Sequence, residues 1–154
     1  MKIDFSTVFS DSFETFKVFD NIRLSDIEDS RGACITSIWQ TLNHLIIWQD
    51  YQLKKLEGLK LKAGLDEFET WIIRKQPNSQ IELDDTVNKF HSQLALFKEV
   101  VIKLALYDNL LEEKLGILQE SALHLSFHLG EVILSRRING NYPLPHEMKS
   151  FLKG

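Results

Sequence analysis

Asp84–Leu104, DDTVNKFHSQLALFKEVVIKL, decides the fold of this 154-residue chain. Val87, Phe90, Leu94, Phe97, Val101 and Leu104 follow one another at alternating steps of three and four residues. That period puts their side chains on one face of a helix and predicts the seam of a helical bundle. Asp84 and Asp85 stand at its start, where negative charge complements the helix macrodipole.

Upstream, Ser37 and Gln40 form the S-x-x-Q pattern of a capping box. They open a second helix that carries Ile38, Leu42, Leu45, Ile46 and Gln49 on one face and stops at Gly58. Between the two helices, Gly64, Pro77, Asn78 and Ser79 break the pattern. Phe68, Trp71, Ile72 and Ile73 make this stretch too apolar for a free linker, so a loop with a short helix is expected over the core. Downstream, Leu118, Ala122, Leu125, Leu129, Val132 and Ile133 predict a helix over 115–138. Arg136 and Arg137 suit its last turn, and Gly140 lies just past its end. At the N-terminus, Phe5, Phe9, Phe13 and Phe16 recur at helical spacing and predict a helix over 5–19. Asn21–Thr36 reads as a charged loop with room for one helical turn, and Pro143 and Pro145 mark an irregular tail. Four amphipathic helices give an all-α, four-helix bundle, with residues 1–154 as one domain.

Composition agrees. Apolar residues make up 44% and charged residues 26%, the balance of a globular chain. Seven Gly and three Pro are too few for a sandwich or barrel, which needs frequent turns. One Cys excludes an internal disulfide and a cysteine zinc cage. A net charge of −4 lacks the basic footprint of a nucleic-acid binder. No apolar run is long enough to span a bilayer, and Met1–Ser6 has no signal-peptide core, so a cytoplasmic setting is expected.

The candidate chemistry lies in the histidines. His124 and His128 stand four apart on the last predicted helix, about one turn, which suits two ligands on one metal. Both fall on one flank of the Leu125 stripe, together with Ser121 and Glu131. His44 occupies the matching flank of the second helix, beside Thr41 and Trp48. Facing helices of a bundle build metal sites in this way, and three imidazoles leave positions open for water or substrate. Zinc, nickel, iron and manganese all accept such ligands. The plainer reading makes His44 a half-buried histidine bonded to a carbonyl and the pair a polar helix flank. Glu120 and Glu131, each within a turn of a histidine, are candidate acceptors for the ring N–H groups. Cys34 has no basic partner nearby in sequence and reads as an inert thiol. His91 reads as a flank residue, His146 as solvated, and Trp48 and Trp71 as core or pocket wall. The phenylalanines exceed what so small a bundle needs, so a homodimer is expected.

Ser37-Ile38-x-Gln40-x-Leu42-x-His44-Leu45 resembles the second-helix motif of the DinB/YfiT-like metalloenzyme family. His124-x-x-x-His128-x-Gly130-Glu131, followed by Arg136-Arg137, Gly140 and Pro143, is similar to its fourth-helix signature. The resemblance implies a four-helix bundle, a divalent metal on His44, His124 and His128, and homodimers. It also implies a metal-dependent enzyme, with transferases of low-molecular-weight thiols among the relatives. A non-enzymatic, stress-related binding protein with a structural or regulatory metal is the alternative. Two departures stand at the second helix: Thr36 where the family often has Trp, and Gln40 where it often has Glu. The second puts a carboxylate role at Gln40 in doubt.

Overall fold

The structure is a computed structural model that describes residues 3–27, 35–61 and 64–154. Cys34 lies outside the described residues. Among these residues every regular element is helical: α1 (Phe5–Val8), α2 (Leu24–Ile27), α3 (Ile38–Leu56), α4 (Glu67–Thr70), α5 (Gln80–Lys103), α6 (Leu111–Ile138) and α7 (Met148–Lys153). The long helix α3 is the hub and packs against both α5 and α6.

Helix α3 begins as its sequence predicts. Ser37 Oγ accepts from Gln40 N at 3.1 Å, and Gln40 Oε1 accepts from Ser37 N at 3.0 Å. At its far end Gly58 takes φ +77°, the left-handed conformation that frees Leu59 N to reach Lys54 O. Gly140 ends α6 in the same manner, with φ +74°. Helix α5 starts four residues before Asp84, at Gln80, because Ser79 Oγ caps Glu82 N. Leu42, Leu45, Phe90, Leu94, Phe97, Leu118, Leu125 and Leu129 from the three long helices meet in one core. Each contributes about 1.5–3 kcal/mol by leaving water.

The expected helix over 5–19 does not form as one element. Helix α1 ends at Val8, and turns carry the chain onward. Glu14 Oε1 accepts from the amides of both Thr15 and Phe16, and Phe16, Lys17 and Asn21 all adopt positive φ. Local polar side chains here compete with the helix for backbone donors. Phe5, Phe13 and Phe19 bury anyway, while Phe16 stays exposed: Phe13 stacks on Phe97 at 5.1 Å, and Phe19 meets Phe90 edge-on at 5.0 Å. Such pairs add about 0.5–1.5 kcal/mol beyond their burial. Three long helices with an irregular aromatic N-terminal segment therefore stand where four helices were expected.

That segment is held by the end of α6. The buried Arg136 donates to Val18 O and, at 2.9 Å, to Asn141 O, while Tyr142 Oη donates to Phe16 O at 2.6 Å. Arg136 is thus a clamp, a larger role than the macrodipole assigns it. Leu123, Phe127 and Leu134, three large apolar side chains, stand exposed on the outer side of α6 with Glu131 among them. No helix is long and apolar enough to cross a membrane, among the described residues.

Candidate metal centre

His44 on α3 and His124 and His128 on α6 come together where the two helices face each other. One ring nitrogen from each lies within 4.8 Å of the other two. The Nε2 atoms of His44 and His124 are 3.1 Å apart. Two nitrogens bound to one tetrahedral ion at about 2.0–2.1 Å would be separated by about 3.3 Å, so this pair needs little adjustment.

Two of the three rings have their tautomer fixed by what they touch. His44 Nδ1 lies 2.8 Å from Thr70 Oγ1, and that hydroxyl gives its own proton to Glu67 O at 2.6 Å. The hydroxyl can therefore only accept from His44, so Nδ1 carries the proton and Nε2 keeps a bare lone pair. His128 Nδ1 lies 2.7 Å from Glu131 Oε2. A carboxylate accepts, so His128 likewise holds its proton on Nδ1 and leaves Nε2 as a ligand atom. His124 differs: among the described residues no group fixes its Nδ1. Without an ion its Nε2–H must donate to the bare Nε2 of His44, since two lone pairs at 3.1 Å repel. With an ion that proton moves away. The donor set thus fits a divalent cation: three imidazoles, two of them with Nδ1 bonded to an acceptor so that Nε2 faces the common point.

The surroundings keep His44 and His124 neutral. Burial, followed by the neighbouring His128 and His124, lowers the His44 pKa from 6.5 to about 3. Burial, then His128, lowers that of His124 to about 4. Trp71 stacks on His44 with ring centres 3.9 Å apart and planes 9° from parallel, shielding that ring from water. The loop that carries Trp71 is tied down by Gln40, whose Nε2 donates to Ile72 O at 2.8 Å and Ile73 O at 3.3 Å. Ser37 Oγ adds a bond to Lys75 O at 2.6 Å. An amide is required at Gln40, because an ionised carboxylate has no proton to give these carbonyls.

Of the other candidates, Glu131 bonds a histidine and Glu120 bonds none among the described residues. His91 sits half-buried against Phe90, and His146 is exposed; neither belongs to the cluster. Trp48 lies 5.1 Å from the His124 ring and helps line a cavity. Phe68 and Ile73, expected over the core, face outward, while Thr70 is fully buried. Thr70 was not legible as a site residue. It reaches His44 across 26 residues of chain, and no local motif marks it.

Comparison with protein-family models, with curated proteins and with solved structures returns no match.

Proposed function

We propose that the chain binds one divalent metal ion through His44, His124 and His128, in a helical bundle of the DinB/YfiT-like type, and uses it for catalysis. The observation that carries this reading is the pair of fixed tautomers: Thr70 and Glu131 each hold a ring proton on Nδ1, which turns two lone pairs inward. A bundle that merely buried polar rings has no need to lock both in that sense. Zinc, nickel, iron and manganese all suit imidazole, and the chain does not choose between them. Three protein ligands leave room for a further one. A bound ion in such a neutral site lowers the pKa of a water or thiol placed on it, which fits a transferase of low-molecular-weight thiols. The protein's part is to hold the three nitrogens in place, shield His44 with Trp71, and put only imidazoles in the donor set, with the Glu131 carboxylate one step back on His128 Nδ1.

A homodimer belongs to the same reading. Its support is the exposed apolar row Leu123, Phe127 and Leu134 on α6, rather than the phenylalanines of the N-terminal segment, which apart from Phe16 pack into the chain's own core. The test is elemental analysis of protein purified without a histidine tag. One ion per chain, lost in the variant H44A, is expected. No metal at stoichiometric level, and none taken up on titration with zinc, nickel, iron(II) or manganese, would refute the metal reading. A metal that binds while no thiol-plus-electrophile pair turns over would favour a structural or regulatory role.

A further inference from the structure

Beside the histidines, between α3 and α6, lies a cavity of about 70 Å³. Leu45 and Trp48 of α3 and His124 and Leu125 of α6 stand in its wall. Leu45 and Leu125 are buried, whereas Trp48 and His124 are part-exposed, which leaves a path in from solvent. Packed interiors keep few voids larger than a water molecule, so a space of this size against a ring of the histidine cluster calls for an occupant.

The wall defines what that occupant is. Nε1 of Trp48 and both amide atoms of Gln49 each expose less than 1 Å². These two side chains therefore offer the space carbon rather than nitrogen or oxygen. Ser121, also in the wall, has given its proton to Ile117 O. The one charged lining residue among those described is Glu120, and it is exposed. An anion placed here would give up its water with no cation to meet it. Cavities with walls of this kind stay dry and take apolar guests, and one of ~150 Å³ holds benzene. By proportion, this one holds about three carbons. We infer that the cavity is a subsite for a short, uncharged alkyl group of about that size. Because His124 belongs both to this wall and to the histidine cluster, the alkyl group is carried by the molecule that reaches the ion. That last step rests on the metal reading; the subsite itself does not.

The first arm of the test titrates the full chelator-treated chain with cyclopropane and, separately, with acetamide, a polar molecule of similar size. The readout is the methyl signals of Leu45 and Leu125 in a ¹³C-correlated spectrum, assigned with Leu45→Met and Leu125→Met. Cyclopropane should shift them saturably, with a dissociation constant on the order of millimolar, as befits three heavy atoms. Acetamide should not. Ser121→Leu, which fills the space from the α6 side, should abolish the cyclopropane shift and still take up zinc. If leucine proves too large for the fold, Ser121→Val serves in its place and should weaken the shift in the same direction. The second arm loads the chain with cobalt(II) and follows its absorption on titration with methanethiol, ethanethiol, 1-propanethiol and 1-hexanethiol. Affinity should rise about fourfold per CH₂ up to the length that fills the cavity, then level off. Absence of a saturable cyclopropane shift, an equal shift with acetamide, or a shift that survives Ser121→Leu would overturn the subsite. A flat thiol series beside a clear cyclopropane shift would sever the subsite from the ion. Cyclopropane binding without zinc or cobalt binding would preserve the subsite and sink the metal reading; the reverse result would do the opposite.

Discussion

Thr70→Val tests the site through a residue that never touches the ion. The change keeps the shape of a fully buried side chain and removes one hydroxyl. That hydroxyl accepts from His44 Nδ1 at 2.8 Å and donates to Glu67 O at 2.6 Å. Its loss leaves one buried donor and one carbonyl without partners, at a cost of about 1–3 kcal/mol to the metal-free fold. At about 2–4 °C per kcal/mol for a chain of this size, the melting temperature should fall by roughly 2–12 °C. The ring also loses what holds its proton on Nδ1, so the tautomer with Nε2–H becomes competitive and blocks the ligating lone pair. Supporting partners of this kind are worth about 10–100-fold in metal affinity, or about 1.4–2.8 kcal/mol. The assay is competition for zinc against a chromophoric chelator at pH 7.5, for wild type, Thr70→Val and Thr70→Ser. Serine keeps the hydroxyl and should stay close to wild type. If Thr70→Val holds zinc as tightly as wild type, the locked tautomer is irrelevant and the observation behind the metal reading fails.

Acid should destabilise the metal-free protein over a defined window. His44 and His124 have folded pKa values of about 3 and about 4, below the 6.5 of the unfolded chain, so between these limits the unfolded state binds more protons. Stability is fully present above pH 6.5 and declines as pH falls toward 4, by at most about 1.4 kcal/mol per pH unit for each histidine, and by less for the partly exposed His124. Chemical denaturation at pH 7.5, 6 and 5 checks this, and a flat profile would contradict the neutral cluster. Gln40→Glu should lower the melting temperature at pH 7 by roughly 2–12 °C, because a carboxylate cannot donate to Ile72 O and Ile73 O; an unchanged melt would mean the loop is held otherwise. His128→Ala should abolish metal-dependent turnover and cost about 1–2 kcal/mol of stability if the ion is catalytic. A large fall in melting temperature shared by this variant and by chelated wild type would instead assign the ion to the fold. Phe127→Glu should convert a dimer to a monomer in sedimentation at tens of micromolar, since Phe127 is 66% exposed on the apolar row of α6; a monomeric wild type would remove the dimer altogether.

What was legible in the sequence was local. The capping box of Ser37 and Gln40, the stops at Gly58 and Gly140, and the seam from Phe90 to Val101 depend on neighbours within a turn or two, and each is found as read. The start of α5 was carried by the same kind of signal, Ser79 with Glu82 three residues later, but the paired aspartates drew the boundary to Asp84. The N-terminal segment misled because its phenylalanines have helical spacing. Burial of Phe5 and Phe13 satisfies the hydrophobic pattern without a continuous helix, while Glu14 takes the backbone amides that a helix would use. In the site, the three histidines were visible from their matching helix flanks. Thr70 and the anchoring amide of Gln40 were not, because each acts on groups more than 25 residues away, through contacts only the folded chain creates.

The interface between α3 and α6 is poor design for stability alone. His44 and Thr70 are fully buried, and His128, Gln49 and Gln52 nearly so, at positions where leucine would gain about 1.5–3 kcal/mol each. Instead the fold desolvates two imidazoles far enough to move their pKa values and leaves both Gln49 amide atoms unpaired. Two other buried polar side chains are put to structural use: Arg136 fastens the N-terminal segment, and Gln40 fastens a loop. Beside His124, Gln49 fastens nothing among the described residues. A cost of this kind next to three converging nitrogens fits the proposed metal site.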